Sequence, residues 1–79
     1  MATGKFAADI APSQICFRVG RRIAELRTAK GWSQRMLADH AQIEQGHLAR
    51  LELGQREAGI LILEKIAVAL DVPIASLFS

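Results

Sequence analysis

Apolar residues recur along this chain in five short blocks, each at helical spacing and each ended by a residue that stops a helix. Ile15, Val19, Ile23 and Leu26 form the first stripe, on one face of a 3.6-residue repeat. The pattern predicts a helix over 13–30, with Ser13 after Pro12 as N-cap and Gly31 as the stop. Arg21, Arg22 and Glu25 lie off the stripe. Ser33 is expected to cap a second helix over 34–41, with Leu37, Ala38 and Ala41 inward. A third helix is predicted over 45–53, with Leu48 and Leu51 inward and Gly54 ending it. After a loop over 55–59, a fourth helix spans 60–70 and turns Leu63, Ile66, Ala67 and Leu70 inward. Asp71-Val72 breaks it, and Pro73 suits the first turn of a last short helix that carries Ile74, Leu77 and Phe78. There is no strand alternation of useful length, no internal repeat and no low-complexity tract. The expected fold is all-α with five helices, and the stripes are read as its core.

The 79 residues suffice for one domain, placed at 13–79, with 1–12 read as a flexible N-terminal tail. A domain this small buries only about 60% of its unfolded surface and gains from a partner subunit. No apolar run approaches the ~18 residues of a membrane span. MATGKFAADIAPSQ lacks the basic segment and long apolar stretch of a signal peptide. The single cysteine, Cys16, excludes an intrachain disulfide and fits a reducing cytoplasm, so a cytoplasmic protein is expected. Its simplest role is that of a small buried hydrophobe.

Charge adds a polarity rather than a strong bias. The net charge is +2. Up to Arg35 there are seven basic residues (Lys5, Arg18, Arg21, Arg22, Arg27, Lys30, Arg35) against Asp9 and Glu25. Beyond it three basic residues face six acidic ones. One basic region would attract a polyanion, although a solvated helix face has the same composition.

The stretch SQRMLADHAQIEQGHLARLELGQ, residues 33–55, holds two short helical patterns separated by about three residues. That is a helix-turn-helix arrangement, whose second member can enter the DNA major groove; proteins that bind no DNA also contain it. The longer stretch VGRRIAELRTAKGWSQRMLADHAQIEQGHLARLELGQ, continued by LEKIAVALDVPIASLF, resembles the Xre/Cro-type, phage-repressor helix-turn-helix family. The resemblance runs from about Val19 to Phe78. It is carried by Arg27, Gly31, Ser33-Gln34, Leu37-Ala38, Leu51-Glu52, Gly54, Ala69-Leu70 and Leu77-Phe78, whose joint spacing is specific where no single residue is.

The resemblance implies a compact lambda-repressor-like DNA-binding domain. It implies that Gln34 clamps the DNA backbone from the first turn of helix two, where the helix dipole helps. Ser33 and Arg35 stand beside it, and Gln55 and Arg56, in the loop after helix three, suit phosphate contacts. Arg27 and Glu52 resemble the family's internal ion pair, which makes Arg27 structural. Helix three becomes the recognition helix, with Gln45, Gly46, His47, Ala49 and Arg50 outward. Glutamine can bond an adenine edge and arginine a guanine edge in bidentate fashion. His47 suits a base or a phosphate, and Ala49 a thymine methyl. Arg50 and His47 can instead be plain solvated surface.

Four positions depart from the family pattern. Gln42 stands where the turn usually has glycine, so either the left-handed backbone costs ~1–2 kcal/mol or the turn differs. Glu44 replaces a serine or threonine cap. Gly46 weakens the recognition helix by ~1 kcal/mol against alanine while allowing close approach to the groove. Ala58-Gly59 replaces a proline and a cap.

One recognition helix reads few base pairs, so such proteins bind palindromes as homodimers with half-sites ~34 Å apart. The expected self-contact is apolar: Ile60, Leu61, Ile62, Ile74, Leu77 and Phe78, more than so small a domain can bury. RNA polymerase is a further conceivable partner, through Glu44, Glu57 or Glu64. The leading expectation is a sequence-specific transcriptional regulator, a stand-alone repressor or restriction–modification controller protein. The alternative is a protein-interaction module on the same scaffold, an antitoxin or coactivator-like adaptor. No enzyme is expected, since no nucleophile–base set, paired carboxylates or phosphate loop is evident. No cofactor is expected, and no metal, since His40, His47 and Cys16 lack zinc-ligand spacing.

Overall fold

The computed structural model describes residues 12–79. Four α-helices and a final 3-10 helix follow one another: α1 Pro12–Ala29, α2 Gln34–Ala41, α3 Gln45–Glu52, α4 Ile60–Leu70 and the 3-10 turn Ile74–Phe78. The elements fall where the apolar spacing predicts, with three local corrections. Helix α1 starts at Pro12, so Ser13 lies inside its first turn and is not the N-cap. The last helix is 3-10 rather than α, with Pro73 as its N-cap. Ile15, read as part of the inward stripe, is 45% exposed, because the first turns of α1 overhang the core. The tail assigned to 1–12 lies, for residues 1–11, outside the described residues.

Each element contributes one side chain to the dry centre: Ile23, Leu37, Leu48, Ile66 and Leu77 are almost wholly buried. Burying such an aliphatic side chain is worth about 1.5–3 kcal/mol. Leu77 is therefore the fifth wall of the core, and its assignment to a dimer interface is wrong. Arg22 holds the same turn by donating its Nε–H to the Ser76 carbonyl at 2.9 Å.

All four α-helices end alike. Gly31, Gln42, Gly54 and Asp71 each adopt the left-handed conformation. The N–H of the next residue returns to a carbonyl five residues back: Trp32 to Arg27, Ile43 to Ala38, Gln55 to Arg50 and Val72 to Ala67. This is the Schellman closure, and it satisfies carbonyls that a helix end leaves open. Trp32, Ile43 and Val72 then pack on the core, so each of these turns is set by burial as well as by hydrogen bonds. At two of the four positions the left-handed conformation falls on a residue with a Cβ. Gln42 keeps the left-handed turn despite its Cβ, at φ 58° and ψ 47°.

Helix α1 crosses α3 at backbone contact. A Cβ on Gly20 would stand 2.0 Å from the Leu51 carbonyl oxygen, and one on Gly54 would stand 2.7 Å from the Phe17 Cα. The last turn of α3 is thus pressed directly onto α1. Among the described residues no helix is long and apolar enough to cross a membrane.

These two kinds of constraint predict opposite results. Gly20→Ala forces the helices apart and is expected to cost about 2–3 kcal/mol or more. Gln42→Gly removes a left-handed strain of about 1 kcal/mol and is expected to raise the melting temperature by a few degrees. Thermal denaturation followed by circular dichroism checks both.

Candidate nucleic-acid interface

Helix α2 begins cleanly because Ser33 is extended and its Oγ accepts the Met36 N–H at 3.1 Å. Helix α3 begins at Glu44, whose side chain makes no capping bond. The turn 42–44 between them is held by the Gln42 and Ile43 N–H groups returning to α2 and by Ile43 packing on the core. Leu48 and Leu51 anchor α3 inward.

The opposite face of α3 is open. Gln45, Gly46 and Arg50 are exposed. The Arg50 guanidinium lies back along the helix, with Nη1 and Nη2 3.8 and 4.0 Å from where a Gly46 Cβ would sit. Gly46 thus leaves clear the surface beside the arginine fork. His47 and Ala49, expected outward, are half-buried on the flanks of this face. The His47 Nε2 is buried and has no hydrogen-bond partner among the described residues, so the outward base or phosphate contact assigned to it is corrected to a flanking position. Ser33, Arg35, Gln55 and Arg56 are exposed around the two helices, and Gln34 is half-buried.

Behind this surface lies a single polar joint. Arg27 donates from Nε to Glu52 Oε2 at 2.7 Å and from Nη2 to Glu52 Oε1 at 2.9 Å. Its Nη1 donates to the Trp32 carbonyl at 2.8 Å. Gln34 adds its Nε2–H to Glu52 Oε1 at 2.9 Å. The paired side chains retain only 15% and 5% of their exposure. Hydrogen bonding to Glu52 raises the Arg27 pKa above its ordinary value, while burial opposes the rise. Because the folded value is raised, the stability contributed by Arg27's own ionisation is fully present below the ordinary arginine value and is lost only as pH rises through the raised one.

Sequence reading missed three contacts here. Trp32 stacks on His40 with centroids 4.3 Å apart and planes at 9°, and the Lys30 ammonium lies 4.9 Å from the Trp32 ring centroid. Gln34 reaches Glu52 across 18 residues of sequence. None has a periodic signature; the two Trp32 contacts form across the loop after Gly31, and the Gln34 bond joins the start of α2 to the end of α3.

A second surface is apolar. Ile60, Leu61 and Val68 of α4 are 75%, 68% and 73% exposed, with Ile74 at 38%; Phe78, expected in the same self-contact, instead borders the cavity lined by Ile15, Cys16 and Leu63. Ile60, Glu64, Ala67, Val68, Val72 and Ile74 line a shallow groove. Ile62, assigned to the same interface, is half-buried and packs on the core instead, because it lies on the flank of α4 towards the buried stripe. Val68, which sequence reading did not single out, belongs to the open face. Among the described residues no group of three or more His, Cys, Asp or Glu side chains converges as a metal site would.

Residues 23–77 match the protein family described as Helix-turn-helix. The competence pilus inhibition repressor of Acinetobacter baylyi is 32% identical over 60 residues, covering 76% of this chain and 54% of that protein. The chain therefore spans about half the length of this curated relative. Among solved structures, the restriction-modification controller protein C.AhdI from Aeromonas hydrophila superposes with a TM-score of 0.78 at 38% identity, over 80% of this chain and 96% of that one. The clp gene regulator ClgR from C. glutamicum gives 0.76 at 27% identity, over 80% and 82%.

Glu52→Ala would leave the Arg27 guanidinium buried without its partner and is expected to cost about 3 kcal/mol. Gln45→Ala, on the open face, should stay within about 0.5 kcal/mol of the parent. Urea denaturation of the two variants checks the contrast.

Proposed function

Since the chain belongs to the Xre-like helix-turn-helix family, we propose that it is a sequence-specific DNA-binding regulator of transcription, acting as a small repressor or controller protein. It binds a palindromic operator as a homodimer, with α3 in the major groove. The observation that carries this reading is the open face of α3. Gln45 and Arg50 stand exposed on either side of a bare Gly46, on a helix whose other side is fully committed to the core.

The chemistry follows from the placement. Arg50 offers a planar two-donor fork to guanine O6 and N7, and Gln45 a donor and an acceptor to adenine N7 and N6. Each such pair discriminates by about 1–3 kcal/mol. Arg35, Arg56, Gln34, Ser33 and Gln55 contact phosphates, which set register rather than sequence. Ala49, half-buried beside the face, can touch a thymine methyl but donates nothing.

The homodimer uses the open α4 face. Ile60, Leu61 and Val68, with Ile74, leave apolar side chains in water that a second copy would cover through a two-fold contact. Glu64 lies on this face too, so of the three acidic residues that could meet RNA polymerase only Glu44 and Glu57 stay free in the dimer.

Selection of bound sequences from a random duplex pool tests the reading. The parent is expected to enrich a palindrome, and Arg50→Ala to relax the preference at one position in each half-site. Enrichment of nothing, even at low salt, would sink the proposal in favour of a protein partner. Val68→Glu places a charge in the self-contact. It is expected to shift the protein to monomer in sedimentation velocity and to weaken palindrome binding by at least tenfold while single half-site binding persists.

A further inference from the structure

Gln34 is the first residue of α2, and its amide nitrogen is already engaged by Glu52. This is at odds with a side chain free to swing onto a DNA phosphate. The conflict resolves once the donors are counted. A glutamine amide carries two N–H groups, and one bond at 2.9 Å to Glu52 Oε1 uses one of them. From this we infer that Glu52 is a positioning residue for the DNA backbone contact: it holds one N–H of Gln34 so that the other is presented, ready oriented, to a phosphate. The inference rests on the DNA-binding reading above.

Three observations carry it. Gln34 is half-buried, so its amide is fixed by its surroundings and by the bond to Glu52. The cap of α2 uses the Met36 N–H, taken by the Ser33 Oγ, and the Leu37 N–H, taken by the Ser33 carbonyl. The backbone N–H groups of Gln34 and Arg35 therefore point out of the helix end unpaired, as first-turn donors do. The free backbone donors and the second amide N–H of Gln34 thus belong to the same first turn of α2. Lastly, Glu52 closes α3 while Arg27 neutralises it from α1. The carboxylate that orients the phosphate donor is the last residue of the helix that reads bases. The backbone contact and the base contacts are thereby locked in one register, and Glu52 adds no net negative charge at the phosphate.

The expected signature differs from that of a charged contact. A neutral amide releases no counterions, so its loss lowers affinity without changing the salt slope. Loss of Arg35 would lower the slope by about 0.9. The test measures binding to the selected operator and to an unrelated duplex across a salt series. Four proteins are compared: the parent, Gln34→Met, the double variant Arg27→Met/Glu52→Leu, and the triple variant. Replacing both members of a buried ion pair by apolar residues preserves folding in comparable cases, and circular dichroism verifies it.

Gln34→Met is expected to bind about tenfold more weakly on both duplexes at unchanged slope. The double variant should lose at least as much, since it also loses the joint between α1 and α3, and adding Gln34→Met to it should cause no further loss. A double variant that is folded and binds like the parent, or a triple variant whose losses add, overturns the inference. Should the double variant not fold, nuclear magnetic resonance on the 15N-labelled parent decides. One Gln34 side-chain N–H should shift on adding duplex while the Glu52-bound one stays. Movement of both shows that Gln34 leaves Glu52 and overturns the inference. A parent that binds no duplex at low salt instead overturns the DNA-binding reading beneath it.

Discussion

The arrangement of α1, α2 and α3 depends on one guanidinium. Arg27 stands near the end of α1 and distributes its donors to the Trp32 carbonyl in the following loop and to Glu52 at the end of α3. Glu52 in turn receives Gln34 at the start of α2. Three helix ends and a loop thus meet on groups that have little access to water. Such a joint adds little net stability, since desolvation offsets most of the attraction, but it penalises any arrangement that leaves one member unpaired. It therefore specifies where α2 and α3 stand relative to one another. That relation matters for a protein that must set a phosphate contact and base contacts at once.

Around this joint the chain is economical to the point of strain. Two helices of eight residues each are too short to persist alone in water. They survive because each surrenders its inner face to the core and because the Schellman turns satisfy their last carbonyls. The Gly20–Leu51 crossing brings α1 onto the backbone of α3, which places the outer face of α3 without any side-chain spacer. The apolar surface left on α4 and the C-terminal turn is part of what one small core could not absorb.

The candidate site was partly readable from sequence because its exposed residues follow the helical repeat. Once Leu48 and Leu51 are inward, Gln45, Gly46 and Arg50 have to face out. The same arithmetic overreached at the flanks. His47 and Ala49 sit at intermediate angles, where neighbouring elements decide burial, and there the structure covers them in part. Leu77 and Ile62 failed for a related reason. Apolar residues near a chain end look available for a partner until the core is counted, and this core needs Leu77 as its fifth wall.

What the sequence determined by itself was periodicity and punctuation: five elements, their inward stripes, the Ser33 cap, and the stops at Gly31 and Gly54. These are local properties, set by interactions within four or five residues, and they read directly from spacing. What only the tertiary structure decided was which distant groups meet. The Gln34–Glu52 bond, the Trp32–His40 stack, the Arg22–Ser76 bond and the near contact at Gly20 join positions that no repeat relates. Their geometry follows from how four helices pack in three dimensions. A buried polar group or a bare glycine finds its partner only after the core has fixed the distance between backbones.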